Sequence, residues 1–148
     1  MATHTIHLHR VIRAEPALVY RAFLDSAALS KWLAPNGFTC TVHELNAVVG
    51  GAFRMSFTNF ASESVLSFGG EYKELVPYEL IRYTDRFDDP NLVGEIMVTI
   101  QLKKVLCGTE LMIEQAGIPS VIPPEMCYMG WQESLLLLAK LVETVVAQ

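Results

Sequence analysis

The chain has 148 residues, enough for one domain that buries roughly two-thirds of the surface its unfolded form exposes. Hydrophobic residues make up 51% and charged residues 18%, which supplies material for a core with room for a cavity. A net charge of −5, with no run of Lys or Arg, excludes the basic stripe that nucleic acid requires.

The N-terminus carries His and Thr before Val11, with no basic region leading into an apolar one, so no signal peptide is expected. "THTIHLHRVI" (3–12) alternates, with Ile6, Leu8 and Ile12 on one face and His7, His9 and Val11 on the other. It reads as a half-buried strand. In "AEPALVYRAF", Pro16 suits a first helical turn, and Val19 and Phe23 fall at i, i+4. Asp25 or Ser26 can cap a second short helix carrying Leu29 and Trp32, which Pro35 stops.

A strand meander follows. "GFTCTVHEL" leads to a turn at Gly50–Gly51, and "AFRMSF" alternates Phe53, Met55 and Phe57. The next strand, near 63–75, is expected to be broken by a bulge at Gly69–Gly70 that lets the sheet curve. Pro77–Tyr78 turns the chain into "ELIRYTDRF", and Asp88 to Asn91 turns it again. "GEIMVTIQLKKV" then pairs with "TELMIEQAGI" across Cys107–Gly108. Consecutive strands joined by tight turns imply an antiparallel meander.

The last element, "GWQESLLLLAKLVETV" (130–145), decides the architecture. Its longest apolar run, Leu135 to Ala139, is far short of the ~20 residues a membrane span needs, and its heptads are too few for a coiled coil. At 100° per residue, Trp131, Leu135, Leu138, Val142 and Val145 share one face, with Tyr128 at its edge. Gln132, Glu133, Lys140, Glu143 and Thr144 lie on the other side. Pro123 and Pro124 set the entry, and Glu125 favours the positive helix start. Met129 and Leu136 stand among the polar positions and point to a protein contact there. The order of strand, two short helices, about six strands and one long helix predicts an α+β fold. In it, one curved antiparallel sheet of about seven strands grips the C-terminal helix.

These blocks also carry a family likeness. "AEPALVYRAFLDSAALSKWLAPNGFTCTV" (14–42), "GGAFRMSF" (50–57), "GGEYKELVPYELIRYTDRF" (69–87), "GTELMIEQAGIP" (108–119) and "GWQESLLLLAKLVE" (130–143) span nearly the whole chain in order. Together they resemble the activator-of-heat-shock-protein-90-ATPase homologue family, within the START-like, SRPBCC superfamily of helix-grip proteins. The chain departs from the usual pattern at Trp32-Leu33, where Trp-Trp is common, and at Val48-Val49, where Arg-Pro is common.

The resemblance implies a hydrophobic tunnel between sheet and long helix. Apolar and aromatic residues that converge there form the candidate ligand wall: Trp32, Phe38, Phe53, Met55, Phe68, Tyr72, Tyr83, Tyr128, Trp131, Leu135 and Leu138. Entry is expected under the loop "GIPSVIPPE" (117–125), whose Gly and prolines suit a non-helical flap.

No catalytic residues, metal site or cofactor are expected. His7 and His9 lack a third ligand of suitable spacing and read as an exposed edge-strand pair. The Gly pairs have no P-loop context, and no nucleophile elbow is present. Cys40, Cys107 and Cys127 are scattered, read as small core hydrophobes, and fit a reducing cytoplasm. Binding of a small hydrophobic or amphipathic molecule leads the functional readings. Co-chaperone-like binding to a heat-shock ATPase comes second, with a homodimer mate as the other candidate partner. A polyketide cyclase/aromatase-like enzyme comes third; it would use Glu114, Arg82 and His43 if strand parity turned them inward.

Overall fold

The computed structural model describes residues 2–144. In chain order it places β1 (Thr3–Ile12), α1 (Pro16–Leu24), α2 (Ser26–Trp32), β2 (Phe38–Leu45), β3 (Ala52–Asn59) and β4 (Val65–Val76). There follow β5 (Leu80–Phe87), β6 (Ile96–Val105), β7 (Gly108–Pro119) and α3 (Pro124–Val142). All seven strands join in one sheet of order β1-β7-β6-β5-β4-β3-β2, with every neighbouring pair antiparallel. The arrangement is the expected α+β helix grip.

Local chemistry explains the short elements. Pro16 opens α1, where its missing N–H leaves no helical acceptor unserved. Asp25 is the cap of α2, its carboxylate accepting from the Ala28 N–H at 2.9 Å. In β1 the side of Ile6 and Ile12 is buried and that of His7 and His9 exposed, as the alternation predicts. β6 and β7 meet through a turn of Leu106 and Cys107, which leaves Cys107 exposed rather than in the core.

The bulge expected at Gly69–Gly70 lies elsewhere. β4 runs unbroken through both glycines, and the register against β5 shifts between Tyr72 and Glu74. Gly70 answers to close approach instead. A Cβ there would stand 1.8 Å from the Thr84 carbonyl oxygen and 3.1 Å from the Phe53 ring. Only a residue without a side chain lets β5 and the Phe53 ring lie this close.

The core forms between the sheet and the helices. On α3 the buried residues are Ser134, Leu135, Leu138, Ala139 and Val142, while Met126, Met129, Gln132, Leu136 and Lys140 are exposed. This matches the predicted faces, except that the apolar stripe also takes in a polar residue. Ser134 is buried because its Oγ donates within α3's reach, lying 2.6 Å from the Leu33 carbonyl and 2.9 Å from that of Gly130. Val145, predicted to continue the apolar face, falls outside the described residues. Two carboxylates of the polar side also tie the helix down. Glu133 accepts from the Asn36 N–H at 3.0 Å, and Glu143 from the Arg13 N–H at 2.8 Å.

Leu138 is 0% exposed and Leu135 3%, whereas Leu136 is 51% exposed. Replacing either buried leucine by Ala should therefore cost roughly 2–5 kcal/mol, while Leu136→Ala should change stability by less than about 0.5 kcal/mol. Urea midpoints of the three variants measure this; a Leu136 effect equal to that of Leu138 would contradict the placement of α3.

Candidate functional site

Although the C-terminal half of α3 packs tightly, its first turns stand off the sheet. A cavity of about 180 Å³ lies beneath them. β3 contributes Phe53, Met55 and Phe57 to its wall, the alternate positions of one strand face. β4 adds Phe68 and Tyr72, and β5 adds Tyr83, Asp85 and Phe87. Val98 of β6 and Gln115 of β7 continue the wall, which Phe23, Leu29, Leu33 and Pro35 close from the side of α1 and α2. The roof is Met126, Cys127, Gly130, Trp131 and Ser134.

The aromatic rings lock one another in edge-to-face contacts. Phe53 meets Tyr83 at 5.4 Å and 88°, and Phe57 meets Phe68 at 4.8 Å and 77°. Tyr72 and Tyr83 stand 6.1 Å apart, and burial pushes both phenols above their ordinary range, so both stay neutral. The Trp131 indole N–H donates to Gln115 Oε1 at 3.0 Å, bridging roof and floor.

Of the residues expected in the wall, Phe53, Met55, Phe68, Tyr72, Tyr83 and Trp131 come together here. The others lie elsewhere, each for a physical reason. Trp32 is fully buried behind Phe23, with ring centroids 4.8 Å apart, and its indole N–H donates to the Ala22 carbonyl at 2.9 Å. Phe38 begins an edge strand and is 37% exposed. Tyr128 turns to the other edge, where its hydroxyl accepts the His7 N–H at 3.3 Å. Leu135 and Leu138 belong to the solid core further along α3. The 117–125 loop does not line the cavity: β7 extends to Pro119 and takes its first three residues, and the start of α3 lines the cavity in its place.

The polar residues suggested for catalysis are also absent from the wall. Glu114 pairs with His7 at 3.1 Å, Arg82 with Glu74 at 3.5 Å, and His43 shares a hydrogen bond with Ser56 at 2.7 Å. His9 pairs with Glu110 at 3.0 Å, so both edge-strand histidines have carboxylate neighbours. No group of three metal-ligating side chains occurs among the described residues.

Among the wall residues that the sequence reading missed, such as Phe57, Phe87 and Gln115, Asp85 is the one charged side chain. It was legible: Ile81, Tyr83, Asp85 and Phe87 alternate along β5, so an acid sits in an otherwise apolar inward series. The residue as a whole is half-buried, yet its Oδ1 is fully buried and has no hydrogen-bond partner. Burial lifts the carboxyl from 3.8 to about 7, against the pull of the Arg86 backbone N–H and the Arg54 charge. Arg54 itself is committed to Asp88, with Nη1 2.9 Å from Oδ1 and Nη2 donating to Oδ2. That fork holds Asp88 below the usual carboxylate range.

Residues 13–143 match the model of the Activator of Hsp90 ATPase homolog 1-like proteins. The chain belongs to this family. Protein CV1439 from Chromobacterium violaceum, solved by X-ray crystallography, is 59% identical with a TM-score of 0.94, over 95% of this chain and 97% of that one. A Rhodobacter sphaeroides crystal structure is 21% identical with a TM-score of 0.84, over 97% and 95% of the two chains. Protein NE0264 from Nitrosomonas europaea is 19% identical with a TM-score of 0.80, over 94% of each. The last two show the shared fold. No curated protein matches the chain.

The raised Asp85 carboxyl makes a stability prediction with a definite sign. Ionisation is disfavoured in the folded chain, so its contribution is fully present below about pH 4 and is lost as pH rises towards about 7. That displacement corresponds to at most about 4 kcal/mol. Asp85→Asn should therefore match the parent near pH 4 and exceed it in urea midpoint at pH 8. A difference that stays constant with pH would show that Asp85 titrates normally.

Proposed function

We propose that this protein binds a small, largely apolar molecule in the cavity beneath α3. The observation that carries the reading is the cavity itself: its wall is aromatic and aliphatic except for a few polar groups, among them Asp85, Gln115 and the two tyrosines. Ligand sites have this composition, in which apolar surface supplies affinity and sparse polar atoms supply orientation. Family membership is consistent with it, since a helix-grip fold leaves such a space between sheet and helix. Phe53, Met55, Phe68, Tyr72, Tyr83 and Trp131 are the proposed contacts. The free cysteines, with Cys40 buried and its thiol pushed up to about 11, are compatible with a reducing cytoplasm. Among the described residues no helix is long and apolar enough to cross a membrane.

A second reading has its own observation. Met129 and Leu136 project from α3 with 61% and 51% exposure, an apolar pair of the kind that contacts a protein partner. A heat-shock ATPase or a second copy of this chain is the candidate there.

The two indoles provide the test. Trp131 lines the cavity and Trp32 does not, so toluene should shift the Trp131 indole N–H resonance and leave that of Trp32 in place. Gly130→Leu should abolish the response. A Cβ at Gly130 meets nothing closer than Pro35 at 4.0 Å, so a larger side chain can fill the space without disturbing the backbone. Organic extracts of the purified protein, compared with those of Gly130→Leu by mass spectrometry, should differ by the native ligand. Identical extracts together with an unmoved Trp131 resonance would discard the binding reading.

A further inference from the structure

A buried carboxylate oxygen without a hydrogen-bond donor is rare in folded proteins, because the desolvation it suffers is normally offset by a partner. Asp85 Oδ1 is in that position, at the wall of a cavity whose other lining residues carry no carboxylate. The Arg54 guanidinium reaches it only through its charge, not through a hydrogen bond. Arg54 alternates with the inward-facing Phe53 and Met55, so it lies on the opposite face of the sheet, where Asp88 occupies its fork. On the cavity side Asp85 is flanked along its strand by Tyr83 and Phe87. Phe53, Tyr72 and Trp131 line the same cavity, so several aromatic rings share the space with one acid.

We propose that the cavity is specific for a single-ring ligand bearing a protonated amine, with Asp85 as its counter-ion and the aromatic residues as its walls. This deepens the binding reading above and rests on it. Three considerations select an ammonium over an uncharged donor. A buried acid gains most from a cation, which offers both a hydrogen bond and the opposite charge. Aromatic faces stabilise a desolvated cation as they do no neutral headgroup. The chain's net charge of −5 attracts cations and repels anions. Size then limits the rest of the molecule. Cavities of about 150 Å³ admit benzene, so the volume of about 180 Å³ here suits one ring with a short substituent.

The groups facing Asp85 fix the pH dependence. Tyr83 on its own strand and Tyr72 on β4 are held neutral by burial, and burial also raises the Cys127 thiol on α3. Val98 of β6 and Gln115 of β7 do not titrate, and Arg54 keeps its charge throughout. Asp85 is left as the group that changes charge near neutrality, with its empty-cavity value at about 7. Benzylamine remains protonated from pH 5 to pH 8, so its affinity should follow the ionisation of Asp85 and rise across that range.

Benzylamine, benzyl alcohol and toluene form a matched series, read by the Trp131 indole resonance at pH 5 and pH 8. At pH 8 benzylamine should bind at least tenfold more tightly than benzyl alcohol, and at least tenfold more tightly than it does at pH 5. Asp85→Asn should remove both differences. Should that variant fail to fold, the pH profile of the parent chain carries the decision. Benzylamine binding no better than benzyl alcohol, or binding independent of pH, would overturn the amine assignment. If toluene still binds in that case, the cavity reading stands without it; if none of the three binds, both fall together.

Discussion

Leu135, Leu138, Ala139 and Val142 lie along one side of α3 and are withdrawn from water against the concave face of the sheet. The rest of the structure depends on this contact. Burial of each large side chain contributes about 1.5–3 kcal/mol, and it is available only if the sheet curves far enough to meet a cylinder. Register shifts between His4 and Thr5, Val42 and Glu44, and Tyr72 and Glu74 fall on three different strands, where extra residues bend and twist the ladder. Gly70 permits the close pass of β4 and β5 that the same curvature demands.

A straight helix on a curved sheet cannot pack equally along its length. The C-terminal half of α3 fills its groove with leucines, whereas the N-terminal half presents Met126, Cys127, Gly130 and Trp131 across a gap. Gly130 contributes no side chain to close it. Trp131 spans it with a hydrogen bond to Gln115 rather than by filling it. The cavity is thus a consequence of how the grip is made. Its aromatic walls stay rigid because the rings brace one another, and that rigidity keeps the space open rather than letting it collapse.

Asp85 is the element in tension with this packing. Placing an acid in an apolar series destabilises the fold whenever the group is charged, and the Arg86 backbone N–H and the Arg54 charge offset only part of the cost. Local conflicts of this kind gather at functional sites, where a ligand rather than the protein supplies the missing interaction. The Arg54–Asp88 fork on the other face shows that the same sheet pairs its acids readily where water and space allow.

Much of the fold was legible because it rests on period and punctuation. Alternation in β1 and β3, the 3.6-residue stripe of α3, Pro16, Asp25 and the turn residues are properties of neighbours in the chain, and they determined element order, type and the α+β grip. What the sequence could not decide is which buried aromatic residue faces empty space and which faces another side chain. Trp32 and Trp131 illustrate the difference. Both are tryptophans on helices, yet one is sealed behind Phe23 by its bond to Ala22, and the other roofs the cavity. Leu135 and Leu138 likewise share the stripe of Trp131 but lie past the point where α3 meets the sheet. A hydrophobic pattern records that a side chain leaves water. Where a void remains depends on the distance between surfaces brought together from opposite ends of the chain, and that distance exists only in the tertiary structure.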